Sequence, residues 1–96
     1  MDNIKNHRYI KVKYISPTNR TCSRIKIYEP KRWKDETAHS KTFSYDYSIG
    51  STREQAQKIL IRNGFKVKGY ASEVDDKYSF FCDNWGEDFL SIKDLK

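Results

Sequence analysis

The stretch from Arg8 to Tyr28 constrains the fold of this chain more than any other part of the sequence, because its apolar and charged residues alternate. Within residues 9–15 the two sets are Ile10, Val12 and Tyr14 on one side, and Lys11 and Lys13 on the other. A period of two is typical of a strand that buries one face. After a polar loop at residues 16–22, the pattern resumes from Ser23 to Tyr28. The stretch therefore predicts two neighbouring strands with one apolar and one basic face.

Three further strands are predicted beyond this pair. Residues 41–47 alternate again, and their aromatic side chains are expected to point inward: Phe43, Tyr45 and Tyr47. Residues 65–74 and 78–82 alternate on either side of an acidic turn. Gly69 interrupts the first of these segments, which indicates a β-bulge.

One helix is predicted, from Ser51 to Asn63. Ser51 and Glu54 have the spacing of a capping box, and Gly64 stands where a helix commonly ends in a left-handed conformation. Ala56, Ile59 and Leu60 form an apolar stripe that can pack on a sheet. The predicted fold is α+β, with an antiparallel sheet of four to five strands, the order βββαββ and the helix on one face.

The whole chain, residues 1–96, is predicted to form a single small domain, because 96 residues allow one modest core. Residues 1–7 are expected to fray, and residues 29–40 to form a long surface loop. The C-terminal segment, residues 84–96, fits either a short helix or an edge strand, and strand or irregular structure is preferred. The expected core residues are Ile10, Val12, Tyr14, Ile25, Ile27, Phe43, Tyr45, Ile59, Leu60, Val67 and Phe80.

The composition favours a folded, cytoplasmic protein. Aromatic residues make up 15% of the chain, a level that disordered chains do not usually reach. No apolar run approaches the roughly 20 residues that cross a bilayer, and no signal peptide is recognisable at the start, so no membrane partner is expected. Cys22 and Cys82 are too few for a disulfide framework and are expected to be reduced, with Cys82 in the core.

The positive charge of the chain lies in its first half. Residues 1–41 contain 11 Lys and Arg against 4 Asp and Glu, whereas residues 42–96 contain 8 against 9. The first part thus has a net charge of +7 and the second of −1, which gives the overall +6. A one-sided positive field attracts phosphate, acidic lipid or an acidic protein, and the charge count alone does not choose among them.

The first candidate site is the basic face of the opening strand pair, formed by Lys11, Lys13, Arg24 and Lys26. Like charges opposite each other destabilise a sheet, and phosphates would offset their repulsion. Alternatively, this is only the solvated face of the sheet, whose lysines prevent edge-to-edge aggregation.

The second candidate site lies in the predicted long loop and consists of Lys31, Arg32, Trp33 and Lys34. An aromatic ring between cations is typical of surfaces on which a base stacks while the cations hold phosphates. The same composition also occurs in membrane anchors and in protein-binding hot spots. In the alternative interpretation Trp33 folds back over the core.

The third candidate site is the loop between the first two strands, where Asn19 and Arg20 could bind a phosphate or a carboxylate. The same residues are ordinary turn formers. The run of residues 13–19, KYISPTN, followed by Ser-Arg-Ile-Lys at 23–26 and Tyr-Asp-Tyr-Ser at 45–48, resembles short proteins of bacteriophages, plasmids and other mobile elements. The chain departs from that group at Cys22, where a Gly is expected, and in the longer connection at 29–40.

The resemblance implies a mobile-element context, with nucleic-acid binding or inhibition of host defence as roles, and no assigned activity. Catalysis is not predicted, because His7 and His39 have no Ser or Cys in a nucleophile motif beside them. No metal-ligand spacing and no Gly-rich phosphate loop are present in the sequence, so neither a metal nor any other cofactor is expected.

The predicted function is that of a small, non-enzymatic protein that contacts nucleic-acid phosphates through a basic sheet face with low sequence preference. The alternative is a phage or mobile-element protein that binds and inhibits a host protein, such as a nuclease or a defence complex. The sequence leaves open DNA against RNA, and also the oligomeric state, although an exposed sheet edge would allow a dimer.

Overall fold

A computed structural model describes residues 7–20, 22–30, 39–83 and 90–96, and it confirms the α+β fold with the order βββαββ. The elements are β1 (Arg8–Ile15), β2 (Arg24–Glu29), β3 (His39–Ser44), α1 (Thr52–Arg62), β4 (Val67–Glu73), β5 (Lys77–Cys82) and a 3₁₀ turn at Ile92–Asp94. The five strands form one antiparallel sheet in the order β3-β2-β1-β5-β4. The amphipathic strand β1 therefore lies at the centre.

The structure confirms that alternate residues of β1 and β2 point to opposite faces of the sheet, as the sequence predicts. Ile10 and Val12 of β1, and Ile25 and Ile27 of β2, are buried on the same face of the sheet. We call this the inner face, because α1 packs on it, and the opposite one the outer face. In the described part of the chain no helix covers the outer face.

The helix begins and ends where its capping residues require. The Ser51 hydroxyl accepts a hydrogen bond from the backbone N–H of Glu54 at 3.1 Å, which satisfies one of the free donors of the first turn. Gly64 ends the helix with φ +96°, a conformation that favours glycine. Ala56, Ile59 and Leu60 are buried against the sheet, as predicted.

Seven of the eleven expected core residues are fully part of the core: Ile10, Val12, Ile25, Ile27, Ile59, Leu60 and Phe80. The other four, Tyr14, Phe43, Tyr45 and Val67, are only half-buried. The two tyrosines lie at the margin, where the Tyr14 hydroxyl shares a hydrogen bond of 2.8 Å with the Ser23 hydroxyl. Further core residues are Ala56, Phe65, Cys82, Ile92 and Leu95.

The β4–β5 connection contains the predicted acidic turn and bulge, although Lys77, expected in the turn, is the first residue of β5. Asp75 and Asp76 both have positive φ, 62° and 56°, which Asp tolerates better than most residues. The register between β4 and β5 shifts between Val67 and Gly69, so the bulge lies at the predicted glycine. Because of this turn, Lys77 lies directly opposite Glu73.

Strand β3 is shorter than predicted, and the expected inward position of Tyr47 is wrong. The strand ends at Ser44, and Tyr47 is 73% exposed. Asp46 turns the chain away from the sheet, because its carboxylate accepts hydrogen bonds from the backbone N–H and the hydroxyl of Ser48, at 2.9 and 2.6 Å. The Tyr47 hydroxyl instead donates to Ser23 at 2.8 Å.

The boundaries of the predicted 29–40 loop also change. Glu29 is the last residue of β2 and is buried, while His39 and Ser40 already belong to β3. Glu29 holds Arg8, which is fully buried, through a bidentate pair of 2.6 and 2.8 Å. Arg8 also donates to the carbonyl of Leu90, and its guanidinium lies 5.4 Å from the centre of the Phe65 ring. The apolar inner face thus encloses an ion pair that the sequence analysis did not predict.

The C-terminal residues pack on the helix side of the sheet. Ile92 and Leu95 are buried, and the backbone N–H of Lys96 donates to the Asn63 side chain at 3.0 Å. Of the two predicted alternatives for this end, residues 90–96 contain one turn of helix and add no strand. No described helix is long and apolar enough to span a membrane.

Candidate nucleic-acid interface

Three lysines stand side by side across the outer face. Lys13 of β1 lies directly opposite Lys26 of β2 and, on its other side, directly opposite Lys77 of β5. We call these three residues the lysine row. Thr42 follows at the β3 end of the row and Glu73 at the β4 end. Lys13 and Lys26 are half-buried and Lys77 is exposed.

The register makes this row electrostatically unfavourable by itself. Directly opposite residues of an antiparallel pair have Cβ atoms about 4.5 to 5.5 Å apart, and like charges on such residues destabilise the pair. Lys13 meets such a neighbour on both sides. An anion above the row would turn this repulsion into attraction.

Glu73 is engaged by partners outside the row. Its carboxylate lies 3.4 Å from the Lys11 ammonium and accepts a hydrogen bond of 2.6 Å from the Ser79 hydroxyl. The Ser79 hydrogen bond, helped by the charge of Lys11, holds the pKa of Glu73 below its usual value. Glu73 therefore stays ionised at neutral pH and neutralises at most one of the neighbouring cations.

Arg24 extends the basic surface toward the β1–β2 loop. It lies between Ile15 of β1 and Ser44 of β3. Its Nε is buried and has no hydrogen-bond partner in the part of the chain that the structure describes. Ser44 and Thr42, both exposed, add hydroxyls along the adjacent edge strand. The Arg24 guanidinium and these hydroxyls can donate hydrogen bonds to phosphate oxygens.

Three aromatic side chains occupy the opposite end of the outer face. Tyr9 of β1 lies directly opposite Phe81 of β5, and Tyr28 of β2 directly opposite Lys11. All three are half-buried. The ammonium of Lys26 lies 5.5 Å from the centre of the Tyr28 ring, within the range of a cation–π contact. The outer face thus combines cations with aromatic rings.

The structure thus brings Lys11, Lys13, Arg24 and Lys26 together on one face, as the sequence predicts. Sequence reasoning missed Lys77 and the aromatic residues. Tyr9 and Tyr28 could have been found, since they share the alternation of the lysines. Lys77 and Phe81 depend on the register of β5, which no local pattern reveals.

The remaining candidates lie in the loop at one end of this face or beyond the described residues. Asn19 and Arg20 are exposed in the loop after β1, where the Thr18 hydroxyl accepts a hydrogen bond of 3.2 Å from the Arg20 backbone. The second candidate site, Lys31, Arg32, Trp33 and Lys34, lies outside the described residues.

The thiols and histidines are distributed over the molecule. Cys22 and Cys82 are both free, the first exposed and the second buried. Burial raises the pKa of Cys82 to about 11, so that its thiol is protonated at neutral pH. His7 contacts the carboxylate of Asp83. Among residues 7–20, 22–30, 39–83 and 90–96, no three His, Cys, Asp or Glu side chains converge on a metal-binding position.

Comparison of the chain with models of protein families, with curated proteins and with solved structures gives no match.

Proposed function

We propose that this protein binds nucleic acid through its outer face, without catalysing a reaction. The lysine row carries this proposal, because Lys13 has a cation directly opposite on both neighbouring strands. A row of lysines on a sheet face with no covering helix in the described residues is complementary in charge to a phosphate backbone. Neutralising several phosphates releases condensed counterions, which is the main source of sequence-independent affinity.

The predominance of lysine on the outer face is explained better by contact with phosphates than by recognition of bases. Lysine is a compact point charge with rotatable donors, and it binds a phosphate without requiring one orientation. The bidentate pairs that distinguish bases in a groove are made by Arg, Asn and Gln, and of these only Arg24 stands on the outer face among the described residues. We therefore expect low sequence preference and strong salt dependence.

The loop residues extend the proposed interface. Asn19 and Arg20 lie beyond Arg24 at one end of the face and are exposed, so that they can contact the same strand of phosphates. Lys31, Arg32, Trp33 and Lys34 remain predicted contacts on the strength of their composition.

The experiment that tests the proposal is a titration of labelled DNA and RNA at a series of salt concentrations. For wild type, log K should fall linearly with log salt concentration, by about 0.7 to 0.9 for each phosphate contacted. A double variant, Lys13→Gln with Lys77→Gln, should reduce that slope by about two contacts and weaken binding to all sequences alike.

A second double variant, Lys58→Gln with Lys93→Gln, is the matched control. It removes the same charge from exposed positions on the helix and the 3₁₀ turn, away from the outer face. It should change the salt slope by much less. Absence of binding at about 50 mM salt, or affinity that does not respond to salt, would contradict the proposal.

We propose as a second candidate that the protein, as a factor of a phage or another mobile element, binds and inhibits a host protein. Support comes from large apolar side chains exposed on the helix side of the molecule: Ile61 is 54% and Tyr70 48% exposed. The Arg53 guanidinium lies 4.9 Å from the Tyr70 ring centre, and Arg and Tyr are frequent anchors of protein interfaces.

The two candidates predict opposite sensitivities. Inhibition of a purified host nuclease or defence complex should be lost in Ile61→Asp and kept in the Lys13/Lys77 double variant. Nucleic-acid binding should show the reverse pattern. An inhibition that neither Ile61→Asp nor Tyr70→Ala weakens would contradict the second candidate.

A further inference from the structure

The aromatic residues of the outer face are placed around one of its lysines. Lys11 lies directly opposite Tyr28 on one side, while Tyr9 and Phe81 face each other one row further along the strands. Residues on the same face that are diagonal to each other lie about 7 to 8 Å apart. Tyr9, Tyr28 and Phe81 therefore occupy neighbouring positions beside the lysine row, and we call them the aromatic group.

These rings lie on the side of the sheet opposite to the core. The inner face buries Ile10, Val12 and Phe80, so the aromatic group contributes nothing to the contacts under α1. All three residues are half-buried, so part of each side chain remains open to solvent on this face. The ammonium of Lys26 near the Tyr28 ring shows that a charged group can reach this side.

Rings on a flat face can receive bases only from an unpaired strand. In a duplex the faces of the bases are covered by their stacked neighbours, whereas the bases of a single strand can turn out and stack on aromatic side chains. The lysine row and Arg24 lie further along the same face, where they can hold the phosphates of the bound strand. Stacking tolerates every base, because each has a π face, and so it agrees with low sequence preference.

We propose that the outer face binds single-stranded nucleic acid, with bases stacked on Tyr9, Tyr28 and Phe81 and phosphates held by the lysine row. This inference rests on the proposed function and narrows it from nucleic acid in general to unpaired strands. For this sheet face, the sequence pattern indicates contact with the nucleic-acid backbone more than with bases. The aromatic group adds the contact that distinguishes a single strand from a duplex.

The test compares a labelled oligothymidylate of twelve nucleotides with a duplex of twelve base pairs at one salt concentration. Wild type should bind the single strand more tightly. Tyr28→Leu and Phe81→Leu should each weaken single-strand binding about 5- to 150-fold, the value of one lost stacking contact. Tyr28→Phe and Phe81→Tyr keep a ring and should bind within about twofold of wild type.

One control variant and one independent measurement accompany this test. Tyr70→Leu removes an exposed ring from the helix side of the molecule and should leave binding unchanged. Should a Leu variant fail to fold, proton NMR of wild type gives a second measurement: ring protons of Phe81 should shift upfield on adding the oligothymidylate, through the ring currents of stacked bases.

The outcomes separate this inference from the proposed function. Equal affinity for single strand and duplex, with Leu variants that bind like wild type, would overturn the stacking inference. If the Lys13/Lys77 double variant is then still weakened, the phosphate-binding proposal stands. No binding by wild type of either probe, or of an RNA single strand and duplex of the same length, would overturn both.

Discussion

The two faces of this sheet handle positive charge in opposite ways. On the inner face Arg8 is fully buried, and Glu29 neutralises it with two hydrogen bonds of 2.6 and 2.8 Å. On the outer face Lys13, Lys26 and Lys77 stand next to one another in direct register. The same strand, β1, contributes to both arrangements.

The difference follows from the solvent. A buried guanidinium loses its hydration, and only a partner of opposite charge with good geometry offsets that loss. Lysines on a face that is open to water are not fully desolvated, and salt screens them, so that their repulsion costs only a fraction of a kilocalorie per pair. The inner face requires complete pairing, whereas the outer face can hold unpaired charge available for a ligand.

The largest effect that would test this comparison comes from breaking the inner pair. Arg8→Met removes the guanidinium that neutralises the buried Glu29 carboxylate, and this should lower the free energy of unfolding by about 3 to 5 kcal/mol. The midpoint of urea denaturation measures the loss. Because small domains have little stability to spare, partial unfolding in the absence of urea is an expected form of this result.

The double variant Arg8→Met with Glu29→Met is the control for that measurement. It removes both charges and fills the site with apolar groups, so it should recover most of the stability. If Arg8→Met alone unfolds at the same urea concentration as wild type, the ion pair does not stabilise the inner face, and the contrast between the faces fails.

The second effect concerns Cys82, which lies directly opposite Arg8 on β5. Burial raises the pKa of its thiol from 9.0 to about 11. Between these two values the unfolded chain is ionised while the folded chain is still protonated. Stability that is fully present below pH 9 should therefore fall as pH rises through this window, by about 2 kcal/mol at pH 10.5.

Urea denaturation at pH 8 and pH 10.5 checks this prediction against Cys82→Ala. The exposed Cys22, the tyrosines and the lysines titrate in both proteins, so their contributions cancel in the difference. Cys82→Ala should start from lower stability and lose about 2 kcal/mol less over the window. Parallel losses in the two proteins would show that the Cys82 thiol is not protected by the inner face.

The third effect tests the helix that covers the inner face. Ser51→Ala removes the hydroxyl that accepts from the backbone N–H of Glu54, and it should cost about 1 kcal/mol. Ser51→Asp keeps an acceptor at the same position and should cost little. A thermal melt followed by circular dichroism measures both, and equal losses in the two variants would argue against capping.

Local signals predicted much of this structure. The alternation in β1 and β2 predicted that Ile10 and Ile25 point inward. The capping residue Ser51 and Gly64 predicted where the helix begins and ends. Both kinds of signal depend only on neighbours in the sequence. The position of Glu29 was not predictable in this way. Its burial depends on Arg8, 21 residues away, and the local sequence at 29–40 contains only the signals of a loop.

The candidate site shows the same division. Lys11, Lys13, Arg24 and Lys26 share one face because of local alternation, which the sequence displays. Lys77 comes from the half of the chain that has a net charge of −1, and it joins the row only through the β1–β5 register. Charge counted along the sequence therefore underestimates the charge that the fold gathers on the outer face.

The smallest effect tests whether the lysine row is held at a cost to stability. Lys13→Gln removes a cation that has like charges directly opposite on both sides, so it should raise the free energy of unfolding by about 0.2 to 1 kcal/mol at low salt. The gain should shrink as salt screens the repulsion in wild type. Lys58→Gln, at an exposed position of α1, should show no such gain. Urea denaturation of the three proteins at low and high salt measures the difference. A loss of stability in Lys13→Gln at low salt would mean that Lys26 and Lys77 do not repel Lys13. That result would contradict the description of the outer face as a surface that carries unpaired positive charge.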